Sequence, residues 1–311
     1  MKLSLIFNFR NEESNLNQLV IRSKKALDDS KLFNANEYEF IFVNDDSTDN
    51  SLNILIEFKS RGFPIKIINM SRNFGRSACL YAGFTIATGD SVVYMDSDLQ
   101  DPPELIPTLY MKFLEGYDVV HTIRSNRLGE SRTKMFITEI AYKIIFLLSF
   151  HQIKSNVGDF KLISKKIVSH ILEIKDLDPY VRGMFVWVGF KQVYVNYTRE
   201  PRLYGVTNFS IFGLGPITEF IRGIISISNL PLYLPFFLGV FSILFSFCII
   251  IYALIVKFFG SAAPGSTSIL IAISIFCGLI LCSLGFIGVY VAKIYLQVKG
   301  YPRYVIKNII N

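Results

Sequence analysis

Two long stretches without a charged residue constrain this chain more than anything else in it. No Asp, Glu, Lys or Arg lies between Arg222 and Lys257, and none lies between Lys257 and Lys293. Each gap holds roughly 20 or more apolar residues, the length a helix needs to cross a bilayer's hydrocarbon core. The pattern predicts two spanning helices, approximately 233–257 and 268–292, within a segment 232–293. The linker from Gly260 to Ser266 is short and uncharged. Lys293, Lys299, Arg303 and Lys307 follow, and the positive-inside rule places this basic tail, 294–311, in the cytoplasm. Two crossings then put residues 1–208 on the same side. Overall, 51% of residues are hydrophobic, too many for a purely soluble protein. The N-terminus does not read as a signal peptide, because the apolar run from Lys2 to Phe9 is broken at once by Arg10, Glu12 and Glu13.

Residues 1–125 alternate strand-like and helix-like patterns. Strands are predicted at Leu3–Phe9, Tyr38–Val43, Ile65–Asn69, Ser91–Met95 and Asp118–Thr122. Helices are predicted at Glu12–Leu27, Asn50–Lys59, Ser77–Ala87 and Leu105–Leu114. This rhythm argues for an α/β domain with a mainly parallel sheet and helices on both faces. Ligands of such sheets bind beyond the carboxyl ends of the strands. Four polar clusters fall there: Asn8 to Glu13, Asn44 to Asp49, Ser71 to Arg76, and Asp96 with Asp98. Together they read as a nucleotide pocket. No G-x-G-x-x-G or Walker loop is present, which argues against dinucleotide enzymes and P-loop NTPases. Asp45 is placed to accept from a base N–H, and Asp49 to cap the helix that follows.

The strongest chemical signal is Asp96-Ser97-Asp98 at the end of an apolar strand. Residues i and i+2 of an extended chain share a face, so both carboxylates converge on one point. Two hard oxygen ligands there suit Mg²⁺ or Mn²⁺ that also holds a diphosphate, with Gln100 as a third oxygen. Further on, Arg124, Arg127, Arg132 and Lys134 form a basic run, either a solvated helix start or a phosphate clamp. Met135 to Phe150 is too short and too charged to span, and reads as a core or interface helix. Asp159 sits beside a glycine turn at Gly158, and Trp187 and Gly189 read as packing the base of the domain. Arg199 to Asn208 is a polar loop able to close over a diphosphate. Residues 209–231 carry an apolar stripe at helical spacing, which suits amphipathic helices lying on a membrane surface or packed on the domain.

The four cysteines form no C-x-x-C pair and read as packing residues. The net charge of +7 suits anionic lipid or phosphate handling. Nucleic-acid binding is disfavoured, since no basic helix or aromatic RNA motif occurs.

These motifs resemble the family 2 glycosyltransferases of the GT-A (Rossmann-like) fold that make polyprenyl-phosphate sugars. The likeness is greatest to bactoprenol glucosyltransferases and extends to dolichyl-phosphate-mannose synthases. It spans essentially the whole chain. It rests on Asn11-Glu12-Glu13, Asp45 with Ser47 and Asp49, Arg72-Asn73-Phe74-Gly75, and Asp96-x-Asp98-Leu99-Gln100-Asp101-Pro102. It continues through Gly158-Asp159-Phe160, Trp187-Val188-Gly189, Arg202-x-x-Gly205-x-Thr207 and the ending Pro302-Arg303-Tyr304.

The resemblance implies a GT-A domain over 1–208, amphipathic helices over 209–231, and a transmembrane hairpin. It implies a donor nucleotide site at Asn8, Glu12, Asp45, Arg72, Asn73, Gly75 and Asp96. Metal ligands would be Asp96, Asp98 and Gln100, and the acceptor phosphate would meet Arg124, Arg127, Arg132 and Lys134. Catalysis would involve Asp98, Asp159 near the reacting centre, and Arg202 on the departing nucleotide. The implied reaction is inverting transfer of a hexose, glucose first, from a UDP-sugar to undecaprenyl phosphate. The setting is the cytoplasmic face of a bacterial inner membrane, in a tetramer, with a flippase and a second glycosyltransferase as functional partners. Asn8, Arg10, Asn44, Asp46 and Asn208 depart from the usual pattern and bear on donor choice, with UDP-GlcNAc, UDP-galactose or GDP-mannose as alternatives. They also motivate a silent membrane scaffold as the competing reading. A processive synthase is disfavoured, because no Arg-Trp pair occurs in the chain.

Overall fold

The computed structural model describes residues 1–34, 36–127, 157–177, 179–200, 224, 230–259 and 265–311. Eight strands form one mixed sheet: β1 (Leu3–Phe9), β2 (Tyr38–Asn44), β3 (Ile65–Met70), β4 (Ser91–Asp96), β5 (Val119–Arg127), β6 (Val157–Ser164), β7 (Gln192–Arg199) and β8 (Ile306–Ile310). Their spatial order is β7-β5-β6-β4-β1-β2-β3-β8. β1 pairs parallel with β2 and β4, and β2 pairs parallel with β3, so the carboxyl ends of these four strands share one rim. β6 enters antiparallel between β4 and β5, and β8 closes the other edge antiparallel to β3.

Alternation along each strand divides the core in two, because successive side chains leave opposite faces. Leu3, Leu5, Phe7 and Phe9 of β1, with Val93 and Met95 of β4, pack under α1 (Glu13–Ser30), α2 (Ser51–Ser60) and α4 (Ile106–Leu114). Ile6, Ile41, Val92, Tyr94 and Ile163 face the other way. They pack under α3 (Arg76–Ile86), α5 (Lys165–Glu173) and α6 (Val181–Trp187). α3 lies so close to β1 that a Cβ on Gly83 would stand 2.6 Å from Ile6 Cγ2. Such three-layer packing is what the alternating sequence pattern predicts.

The helices and strands expected over residues 1–122 are all present, with boundaries shifted by a few residues at most. Elsewhere the structure departs from the expectations. The strand expected to end at Thr122 runs on to Arg127, so Arg124 and Arg127 belong to β5 and not to a helix start. The glycine turn expected around Gly158 is the fully buried strand β6. Gly158 is needed there for space, since its Cβ would meet Thr122 Oγ1 at 3.0 Å. Trp187 packs no base, being 61% exposed. Within the basic tail, Ile306–Ile310 forms an edge strand for which no expectation was made, and it completes the sheet.

A second unit holds two long helices, α7 (Leu230–Phe259) and α8 (Ser266–Val298). Each contains a segment long and apolar enough to cross a membrane, Leu232–Tyr252 and Ile275–Val298. Phe245 of α7 meets Phe276 of α8 edge-on. Phe236, Ile243, Tyr252, Leu281 and Val298 point outward, an apolar surface that water does not favour. The predicted amphipathic stretch 209–231 and the helix at Met135–Phe150 lie outside the described residues, save Ile224 and the start of α7.

Candidate active site

Strand alternation aims the key side chains. Asn8 ends the α3-facing row of β1, Asp96 ends that of β4, and Asp159 belongs to the same face of β6. Asn8 and Asp96 are register partners, and Tyr94 opposite Lys161 sets Asp159 beyond them on β6. Two arginines descend onto this face from its covering helices. Arg76, the first residue of α3, places Nη1 at 2.9 Å from Asp159 Oδ2 and 3.3 Å from Asp96 Oδ2. Arg182 of α6 grips Asp159 with both arms of its fork, Nε to Oδ1 at 2.8 Å and Nη2 to Oδ2 at 2.6 Å.

The electrostatics follow from this layout. Burial would raise the Asp159 carboxyl, but Arg182 and Arg76 overcome it and hold the group well below its usual range. For Asp96 burial wins, and its carboxyl is raised despite Arg76. Burial and the neighbouring Asp96 together push Asp98 up to about 6. Asp96 and Asp98 do not share a strand face as expected. β4 ends at Asp96, and Asp98 lies in the turn that follows, shaped by Leu99 at φ 56°. Proximity here comes from the turn, not from strand periodicity. Gln100 donates its backbone N–H to Asp98 Oδ1 at 3.2 Å.

A divalent cation fits this corner. Among the described residues, Asp96 Oδ1 and Asn8 Oδ1 are buried acceptors with no hydrogen-bond donor. Buried, unsatisfied oxygen acceptors beside raised carboxyls are the chemistry a hard cation satisfies. No cluster of three or more His, Cys, Asp or Glu is placed to hold a metal among the described residues. Asp96 and Asp98 would supply two carboxylates to such a cation, and the remaining ligand positions would fall to neutral oxygens and a bound ligand.

The loops at the carboxyl ends of β1, β2 and β3 are laced to each other. Asp45 accepts from the backbone N–H groups of Phe74 at 2.8 Å and Gly75 at 3.0 Å, so it anchors the loop entering α3. Gly75 has φ 88°, a conformation that glycine adopts without strain. Asp49 accepts from Ser51 N and from Glu13 N; the N-cap position of α2 is Asn50, so Asp49 forms a turn just before the cap rather than the cap expected, and joins α2 to α1. Glu12 accepts from Asn15 Nδ2 at 2.5 Å. Arg72 lies exposed with its guanidinium 4.0 Å from the Phe74 ring centre, and Nη1 donates to the carbonyl of Asn73.

Arg124 is buried rather than free to clamp an exposed phosphate. Its Nε donates to Tyr197 Oη at 3.2 Å, and Tyr197 donates in turn to the fully buried Asp101. Arg127 ends β5; Arg132, Lys134 and Arg202 lie outside the described residues. Although Arg76 and Asp101 lie within motifs it singled out, sequence reasoning gave no individual role to Arg76, Arg182, Asp101, Tyr197 and Lys161. The first two carried one signal, an arginine at each start of a helix covering the Asp96 face. Lys161 is wholly buried, with Nζ 4.4 Å from the Phe185 ring centre, and burial pushes its amine down to about 7.

Comparison with known proteins settles the family. Residues 4–172 match the model of glycosyl transferase family 2. A bactoprenol glucosyl transferase of Shigella phage SfX is 33% identical over 99% of both chains. The chain is a family 2 glycosyltransferase. An uncharacterized glycosyltransferase of Synechocystis is 37% identical over 99% of this chain and 96% of its own. The fold of this glycosyltransferase resembles that of mannosyl-3-phosphoglycerate synthase from Rubrobacter xylanophilus. The TM-score is 0.52 at 16% identity, covering 72% of this chain and 73% of that one. The GT-A fold implied by the motifs is the fold observed.

Proposed function

We propose that this glycosyltransferase transfers a hexose, glucose first, from a UDP-sugar to a polyprenyl phosphate such as undecaprenyl phosphate. The carrying observation is the arrangement Asp96–Arg76–Asp159–Arg182 at the carboxyl rim of the sheet, in a chain alignable end to end with bactoprenol glucosyl transferases. Two apolar helices in the same chain suit an acceptor that lives in a membrane. A basic C-terminal segment after them favours a cytoplasmic catalytic unit.

The acceptor is already a nucleophile. A phosphate monoester has a second pKa near ~6, so it is largely ionised at neutral pH and needs no strong base. What it needs is position and charge compensation. In the reading proposed here, the phosphate oxygen attacks the anomeric carbon as the bond to the diphosphate breaks, inverting that centre. Asp96 and Asp98 would hold Mg²⁺ or Mn²⁺, which supplies charge stabilisation to the departing diphosphate. Arg76 and Arg182 keep Asp159 ionised and fixed, and so shape the positive wall against which two anions meet. Arg72, Asn73 and Arg202 are assigned to the nucleotide, and Arg127, Arg132 and Lys134 to the acceptor phosphate. Arg124 is assigned a supporting role through Tyr197.

The deciding measurement is transfer in detergent with undecaprenyl phosphate, Mg²⁺ or Mn²⁺ and a panel of labelled UDP- and GDP-sugars. One donor should give a lipid-soluble product, and Asp98→Ala should abolish it. Folded wild-type protein that yields no product with any donor would move the reading to a silent scaffold.

A further inference from the structure

Arg76 is shared between two carboxylates that need it unequally. Asp159 has a second counter-ion in Arg182, which grips it through both oxygens. Asp96 has an ion pair only with Arg76 among the described residues, and its other oxygen, Oδ1, is buried without a donor. The Arg76 side chain is 41% exposed, so it has open space into which to move. It follows Gly75, whose positive φ and open surroundings leave the start of α3 uncrowded. The same oxygen corner is where the proposed cation would bind, and two positive charges do not share one carboxylate without cost.

We propose that Arg76 is a displaceable counter-ion: it holds Asp96 in the donor-free enzyme and yields that carboxylate when cation and nucleotide diphosphate arrive together. Its freed guanidinium then meets the diphosphate, while Asp159 stays ionised on Arg182. This rests on the metal-dependent, nucleotide-sugar reading above. Its consequence is coupling: the cation alone competes with Arg76 and binds weakly, whereas cation and nucleotide strengthen each other reciprocally.

The test is Mn²⁺ binding, read from the paramagnetic resonance of free Mn²⁺, on the full-length protein in detergent at pH 8, with and without UDP. Wild type should bind Mn²⁺ weakly alone and much more tightly with UDP. Arg76→Gln should bind Mn²⁺ alone about three- to tenfold more tightly than wild type, and UDP in the presence of Mn²⁺ more weakly. The coupling should shrink accordingly. Arg76→Lys keeps the charge without the fork and should fall between; it carries the test if the glutamine variant does not fold. Wild type that binds Mn²⁺ with UDP, and variants whose Mn²⁺ affinity is unchanged or weaker, would overturn the counter-ion role alone. Wild type that binds no Mn²⁺ even with UDP would overturn the metal reading and this inference together.

Discussion

At the scale of single residues, Asp159 is defined by its neighbours. Two guanidiniums surround a carboxylate that is 5% exposed and hold it ionised well below the usual range. A group so stabilised as an anion is a poor proton acceptor near neutral pH. Asp159→Asn should therefore lower kcat/KM by about ten- to a hundredfold through loss of positioning, and leave the shape of the pH–rate profile unchanged. An ionisation present in the wild-type profile and missing from the variant's would instead make Asp159 the base. Glu39 is a buried carboxylate at the opposite end of the sheet. It accepts from Ser4 Oγ at 2.6 Å and Thr88 N at 2.8 Å, with Lys66 at 2.8 Å. Against burial, these partners hold its carboxyl at about 2, below the ordinary 4.5. A depressed carboxyl stabilises the fold above its unfolded value and loses that contribution as pH falls, here from about 4.5 towards about 2. Thermal melting should track that window, and Glu39→Gln should flatten it while costing about 2 kcal/mol at neutral pH. An unaltered pH dependence in the variant would assign the acid transition elsewhere.

At the scale of elements, β8 is tied to the loop that carries Asp45. Asn69 donates to Asn308 of β8 at 2.9 Å and accepts from Asn44 of β2 at 3.0 Å. Asn44 Oδ1 in turn accepts from Ser47 N at 2.9 Å. A row of side-chain amides thus crosses three adjacent strands and ends in the loop that carries Asp45. Asn44, one of the departures from the pattern the resemblance implies, has a structural reason here: an amide can donate to Asn69 and accept from Ser47, and a carboxylate can only accept. Asn308→Ala should lower stability by about 1 kcal/mol and raise the donor KM severalfold with little change in kcat. Unchanged melting and KM would reduce β8 to an edge cover. The strand was invisible in sequence because Ile306–Ile310 is five residues long, follows basic residues, and pairs with a partner more than two hundred positions away.

At the scale of the whole molecule, sheet membership sets topology. β1 near the N-terminus and β8 at the C-terminus belong to one sheet, so both ends of the chain lie on one side of any membrane. The proposed membrane-bound form therefore requires the two apolar helices between them to cross as a hairpin. Reporter fusions or protease protection at each terminus should give the same side. Opposite sides would require a sheet broken in the membrane-bound protein.

Several features were legible from residues alone: the βα alternation, the two apolar helices, the acidic rim motif and the family. Each depends on local order, where period, charge gaps and turn residues act over a few neighbours. Tertiary structure alone decided the identity of β6, where Asp159 and Lys161 break the apolar pattern of a buried strand. They are tolerated because Arg76, Arg182 and Phe185 arrive from helices far away in the chain. It also decided that Arg124 is buried and that Trp187 is exposed. Burial of a charge is a property of partners brought together by the fold, and no window of sequence contains both sides of such a pair.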